Sequence, residues 1–372
     1  MLGSTEKRFQ GMSRGLVGLD GAFMKGPFPG QVLTTAGLDS NNGIYPLAYA
    51  IVESENTASW KWFLENLGDD LELGINLNYT FISDRRKGLQ IAVDQLFPNV
   101  EHIYCIRHIH DNMRKKWGQT EYKDHLWRCA SATTIPEFEH LMKEFSEYDK
   151  EACQRLKQIP LVHWARSHFS GRAVYDVLIS NICEVFNGKI EKGRDNPVIS
   201  CLEFIREYLI KRICNVMKAM KKAKGPLTLT STDILNARKK GASQYIAKWN
   251  GANKYQVTGA LQDQHVVDVR NQTYTCRKQE LMGIPCRHAI ATLNDMSKDP
   301  EVELDIYKWV HKQKAYSFKV DPIKGRPIES ERLNKRQKAS QGDGVNEMQG
   351  QDSQGPTNDG VQKLSRKHIS VT

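Results

Sequence analysis

The sequence predicts an α/β fold, then a small β-hairpin and helix unit, then a disordered C-terminal tail. Three observations carry this. Residues 16–118 alternate short apolar, β-branched runs with helical stripes of period 3.6. Residues 240–295 return to short strands before one last helix. From about Asp321 there is no aromatic residue, and Gly, Gln, Ser, Asp and Asn dominate.

Leu16–Asp20 reads as a first strand. Gln31–Leu38 and Ile44–Val52 read as an antiparallel hairpin across the turn-forming Asp39-Ser40-Asn41-Asn42-Gly43. A helix follows from about Thr57 to Leu67, with Trp60, Phe63, Leu64, Leu67 and Leu71 on one stripe. Tyr79–Asp84 is a strand, Lys87–Phe97 a helix, His102–Cys105 a strand and Ile106–Trp117 a basic helix. The order is β-β-β-α-β-α-β-α. A strand reached through a helix runs parallel to its neighbour by a right-handed crossover, so the first and fourth strands lie side by side. This is the pattern of a ribonuclease-H-like core. Residues 119–180 read as helical, with aromatic and charged residues mixed and no strand alternation. A helix is expected from Asp176 through Ile190, and a longer basic one from Ile199 to about Met220, stopped by Gly225-Pro226. In the smaller unit, Tyr255–Thr258 and His265–Tyr274 read as a hairpin and Ala289–Leu293 as helix.

The chain has 372 residues, 40% apolar, enough for two modest domains and a tail. It carries 53 Lys+Arg against 43 Asp+Glu, a net charge of +10, which favours polyanion partners, DNA first, over a small-molecule substrate. Eight scattered cysteines form no compact disulfide framework, so a reducing compartment is expected. The absence of a run of about 18 apolar residues predicts no membrane span, and the N-terminus lacks the apolar segment of a signal peptide. The nucleus is the expected location, and assembly into a homo-oligomer stays open.

Two aspartates close the first and fourth strands, Asp20 in GLDGAF and Asp84 in FISDRRKG. Adjacent strand ends would bring them together, where acidic side chains can hold two Mg2+ or Mn2+ ions. Glu184 is the chosen third carboxylate; it lies with Asn181 and Asn187 on a stripe distinct from the apolar one. Each also has a plainer reading: Asp20 as turn chemistry before Gly21, Asp84 as a helix cap, Glu184 as a solvated helix residue. Cys105 and His108 stand at C-x-x-H spacing. A metal site there needs two more ligands, with His102 and His110 near in sequence; the alternative is a core Cys beside a polar His.

The strings GLDGAFMKG, GLDSNNGIYPLAYAIVESENTASWKWFLENL, FISDRRKGLQIAVDQLFPNVEHIYCIRHIHDNM and SNICEVFN resemble the transposase domain of plant Mutator-like elements (MULE, MuDR) over roughly residues 16–220. The resemblance implies a D-D-E triad for strand cleavage and transfer at Asp20, Asp84 and Glu184. It also implies that Cys105 and His108 are a family signature.

Cys276, Cys286 and His288 make C-x9-C-x-H after the hairpin, and TCRKQELMGIPCRHAIATLN resembles a SWIM-type (PMZ) zinc finger of pattern C-x-C-x(n)-C-x-H. The first cysteine of that pattern is replaced here by Tyr274, a poor zinc ligand, and Gln279 stands where an aromatic is frequent. Either Zn2+ is held with water or a distant group as fourth ligand, or the site has decayed.

The resulting organisation is a truncated N-terminal lead at 1–15, a transposase domain at 16–225 with its insertion at about 119–180, the finger at 240–295, and a disordered tail at 321–372. The short lead points to a truncated copy lacking a DNA-reading region. Lys218, Lys221, Lys222 and Lys224 are candidate DNA contacts, or a solvated helix face; Arg332–Lys338 is a candidate import signal. Two functions are expected: a metal-dependent D-D-E strand-transfer protein, or a domesticated or decayed regulator that binds DNA and zinc without catalysis. A fragment that folds poorly is the third option.

Overall fold

The computed structural model describes residues 15–71, 79–175, 182–222, 227–260, 263–301 and 369–371. Its centre is a mixed sheet. Strands β1 (Leu16–Phe23), β2 (Gln31–Leu38) and β3 (Ile44–Val52) are antiparallel neighbours, and β4 (Thr80–Ser83) and β5 (Glu101–Tyr104) continue parallel from β1. The order is β3-β2-β1-β4-β5. The β2–β3 turn closes on Asp39, whose Oδ1 accepts from the Asn41 and Gly43 amides at 2.8 Å each, while Asn42 adopts left-handed φ (58°).

Side chains alternate across the sheet, so each strand feeds two cores. Val17, Leu19, Leu33 and Phe81 pack beneath α1 (Thr57–Leu71) and α2 (Lys87–Leu96), where Trp60, Phe63, Leu64 and Leu67 form the expected stripe. Leu16, Ile82 and Ile103 face the opposite way, toward α3 (Ile106–Met113), α4 (Thr120–Ser131), α5 (Ile135–Tyr148) and α6 (Lys150–Lys157). Thr134 and Asp149 cap α5 and α6 by accepting from Glu137 N and Ala152 N. Val32, Tyr49 and Ile51 extend that second face beneath α7 (Ile182–Lys189) and α8 (Val198–Lys222).

Several expectations shift. The α1 helix runs a turn beyond Leu67, and β1 continues three residues past Asp20 to Phe23, still paired with β2, so Asp20 lies within the strand rather than closing it. The described part of the Asp176–Ile190 helix begins at Ile182, the residues before it lying outside the described set. Helix α9 (Leu229–Ala242) and strand β6 (Ile246–Trp249) were not foreseen. The strand expected over His265–Tyr274 is two strands, β8 (Gln264–Asp268) and β9 (Thr273–Tyr274), because Asp268 Oδ1 accepts from Asn271 N and Gln272 turns left-handed. With β7 (Lys254–Thr258) they make a four-stranded antiparallel sheet, β6-β7-β8-β9, followed by α10 (Lys278–Met282) and α11 (Arg287–Asp295). This unit rests on the helical region: Thr133 Oγ1 donates to Cys276 O at 2.8 Å, and Arg277 donates to the Ser167 and Phe169 carbonyls. The tail expected to be disordered lies outside the described residues except for Ile369–Val371, which pair antiparallel with β3 as strand β10.

Candidate functional site

The parallel β1–β4 pair sets the geometry. Its register matches Leu19 with Ser83, so the next residues, Asp20 and Asp84, stand at adjacent positions. Both are buried, at 8% and 7% exposure. Asp20 Oδ2 accepts from Asn187 Nδ2 at 2.7 Å, and Thr34 Oγ1 bridges Asn187 Oδ1 and Asp20 O at 3.2 Å each. One turn of α7 separates Asn187 from Glu184, so both aim at this end of the sheet. Burial pushes the Asp20 carboxyl up to about 7. The Asn187 hydrogen bond opposes that shift, and the charges of Asp84, Glu184 and Glu55 add to it. All four carboxylates therefore share one electrostatic site.

Sequence reasoning missed Glu55. It lies between β3 and α1, its side chain only 4% exposed, accepting from Trp60 Nε1 at 3.1 Å, and burial raises its pKa. The available signal was the Ser-Glu-Asn run immediately before the Trp60 helix. Gly21 lies close beside it: a Cβ there would meet the Glu55 carboxylate at 2.6 Å, so the carboxylate would have to move. Arg86 joins the acids: its Nε donates to Asp84 Oδ2 at 2.8 Å and its Nη1 to Glu55 Oε2. Arg86 N also donates to Asp84 Oδ1 at 3.2 Å, but α2 begins at Lys87 with Arg86 as its N-cap and no side-chain cap, so Asp84 does not cap the helix as its plainer reading expected.

Glu184 is held on another side. Arg107 Nη1 donates to its Oε2 at 3.0 Å, His108 Nδ1 lies 3.3 Å from its Oε1, and Cys105 Sγ lies 3.7 Å from the same oxygen. The neighbour of the C-x-x-H pair is therefore Glu184, and the three form a group with metal-ligand spacing. His102 is not part of it: it is buried, bonded to Ser83 Oγ at 2.7 Å, and burial drops its pKa to about 3.

At the other unit, the Cys276 and Cys286 sulfurs are 3.5 Å apart, and His288 Nδ1 is 3.8 Å from Cys286 Sγ. All three residues are buried. Cys286 is drawn down to about 7, chiefly by the hydrogen bond from Cys276. Two sulfurs bound to a tetrahedral zinc at about 2.3 Å would stand about 3.8 Å apart. The three side chains thus fit three corners of a zinc site.

Residues 16–112 match the family model of the MULE transposase domain, and residues 265–296 match that of the SWIM zinc finger. The chain carries a MULE transposase domain followed by a SWIM zinc finger. No curated protein matches it. The MULE match spans β1 to α3 and so contains Asp20, Asp84, Cys105 and His108, while Glu184 arrives from α7 beyond it. The SWIM match spans β8 to the end of α11 and contains Cys276, Cys286 and His288, which points to zinc as the metal. At the first cysteine position of the SWIM pattern, Tyr274 packs with Val257, Val267 and both cysteines as part of the apolar core.

The two domains point to DNA as partner. Lys218, Lys221 and Lys222 are exposed on the last turns of α8, and Lys224 lies outside the described residues. Among the described residues no helix is long and apolar enough to cross a membrane.

Proposed function

We propose that this chain is a Mutator-like, transposase-derived DNA-binding protein whose Asp20, Asp84 and Glu184 form a D-D-E centre for Mg2+ or Mn2+. The carrying observation is the parallel β1–β4 pair, which sets buried Asp20, within β1, beside buried Asp84, the residue after β4. The sheet order β3-β2-β1-β4-β5, with β2 antiparallel to β1, supports a ribonuclease-H-like core spanning 16–225 with a helical insertion. An oxygen-rich, buried acidic cluster suits hard divalent cations. Such ions, when bound, would stabilise charge on the attacking and leaving oxygens of a phosphodiester. Asp20 and Asp84 would supply the shared carboxylates, Asn187 and Thr34 would orient Asp20, and Glu184 would close the site from α7. Lys218, Lys221 and Lys222, with Lys224, would contact phosphates along DNA. Action on DNA calls for a nuclear location.

A second reading has its own observation. Arg86 already pairs with both Asp84 and Glu55, and Arg107 with Glu184. A protein in which three of these four acids already have partners among its own cations suits a DNA-associated regulator without chemistry. The test is nicking of plasmid DNA by purified protein in Mg2+ or Mn2+. Metal-dependent nicking lost in Asp84→Asn supports the catalytic reading. Nicking equal in Asp84→Asn refutes the carboxylate centre, and tight DNA binding with no nicking in either metal selects the regulator.

A further inference from the structure

The finger has three ligands in place and lacks its first cysteine, at Tyr274. The β8–β9 ladder shows what else reaches the site. Val267 pairs with Tyr274, Thr275 N donates to Val266 O at 3.1 Å, and Val266 N donates to the Thr275 hydroxyl at 2.9 Å, so the ladder ends just before Cys276. Residues two apart on a strand share a face, so His265 lies on the same face as Val267, which packs in one cluster with Cys276 and Cys286. Its ring also lies against His288, with centroids 4.3 Å apart. His265 therefore borders one of the three ligands already present, His288, and forms with it and Asp263 a second group of metal-ligand spacing.

The hydrogen bonds around the two imidazoles have a common plan. His288 turns Nδ1 toward Cys286 and Nε2 toward Asp263 Oδ2, at 3.6 Å. His288 Nε2 is buried and has no hydrogen bond. His265 turns Nε2 toward Asp263 Oδ1 at 3.0 Å and leaves Nδ1 on the Thr275 hydroxyl at 3.1 Å, a weak partner to exchange. Asp263 is itself fixed by Tyr245 OH, which donates to Oδ2 at 2.7 Å. Histidines that bind metal through one nitrogen usually present the other to a carboxylate, which fixes ring and tautomer.

We propose that His265 supplies the fourth zinc ligand through Nδ1 in place of the missing cysteine, and that Asp263 holds both His265 and His288 by their Nε2 edges. The site becomes Cys276, Cys286, His288 and His265, a Cys2His2 set rather than Cys3His. Asp263 is a positioning residue, since both its oxygens are already committed. The inference rests on the zinc-finger reading of residues 265–296 and adds its fourth ligand.

The experiment uses the full chain with Cys105→Ser as background, which removes the thiol of the other Cys/His/Glu group. Zinc content is measured by elemental analysis, affinity by competition with a chromophoric chelator, and the ligand set by the visible spectrum of the Co2+-loaded protein. The parent should hold one zinc with a two-sulfur cobalt spectrum. His265→Ala should lose affinity by at least the roughly 10–100-fold that follows loss of an outer-shell partner, and Asp263→Asn should fall within that range. Tyr274→Phe should bind as the parent does. Tyr274→Cys should add a third sulfur-to-cobalt contribution and make a further His265→Ala change silent. Parent-like zinc binding in His265→Ala overturns the proposal, as does an equal loss in Tyr274→Phe. If Tyr274→Cys binds zinc and the parent does not, the proposal fails while the finger stands. If neither binds, the zinc reading itself fails.

Discussion

Substituting Asp20 should change how stability depends on pH. In the folded protein its carboxyl titrates near 7, against an ordinary value of 3.8, because burial disfavours the charged form and Asp84, Glu184 and Glu55 repel it. The folded state thus binds a proton more tightly than the unfolded chain. Stability from this group is fully present below about 3.8, falls as pH rises through the interval, and is gone above about 7. The interval is about three pH units at about 1.4 kcal/mol each, so ionising Asp20 costs the metal-free protein roughly 4 kcal/mol.

Asp20→Asn keeps the shape and removes the titration. Urea melts of metal-free protein at several pH values between about 5 and 8 should show the wild type losing stability relative to Asp20→Asn as pH rises. The difference should reach roughly 3 kcal/mol over that range. Using the difference between the two proteins removes titrations not coupled to Asp20. Mg2+ or Mn2+ should restore the wild type at the alkaline end, by about 2.7 kcal/mol at a hundred times its dissociation constant, and leave Asp20→Asn unmoved. Parallel pH profiles for the two proteins would refute the burial argument. Equal stabilisation of both by metal would refute Asp20 as a ligand.

Three further outcomes follow from the same geometry. Asn187→Ala removes the hydrogen bond that holds Asp20 down, and should move its titration above 7 by roughly one to two units, read by carbon NMR of the carboxyl. Gly21→Ala drives a methyl into the Glu55 carboxylate and should cost about 1–3 kcal/mol, while Gly188→Ala, inside α7 where a Cβ meets open space, should stabilise by up to about 1 kcal/mol; no loss at Gly21 in thermal melts would contradict the close approach. Replacing Lys218, Lys221 and Lys222 by Glu should lower the salt slope of DNA binding by about 0.9 for each phosphate no longer neutralised, and an unchanged slope would return these lysines to a solvated helix face.

Much of the transposase core was legible because periodicity there has one solution. Trp60, Phe63, Leu64 and Leu67 recur at helical spacing, and Asp20 and Asp84 close apolar runs, so topology alone brings the aspartates together. Glu55 was not legible because nothing in a loop sequence says that its carboxylate folds back over Gly21. The orientation of Glu184 toward Arg107 and His108 depends on how α7 docks against α3, a long-range fact that helical periodicity does not carry. The break between β8 and β9 was missed for a local reason: Asp268-Val269-Arg270-Asn271-Gln272 looks β-compatible, yet Asp268 closes an Asx-type turn on Asn271.

The charge balance of the acidic site connects its two readings. Asp20, Asp84, Glu184 and Glu55 bring four carboxylates, and Arg86 and Arg107 bring two guanidiniums. With every acid ionised the cluster is two charges negative. Protonating Asp20 removes one of them, which is how the metal-free protein lowers its repulsion. A divalent cation removes both and leaves Asp20 ionised as a ligand. The arginines therefore do not have to leave for one metal to enter. A second metal would overshoot neutrality unless DNA phosphates accompanied it, so its binding should depend on DNA. Titration of Mn2+ into protein alone should then give one tight site, and a second only when DNA is added. Two tight sites without DNA would mean that the arginines do not share the field of the acids.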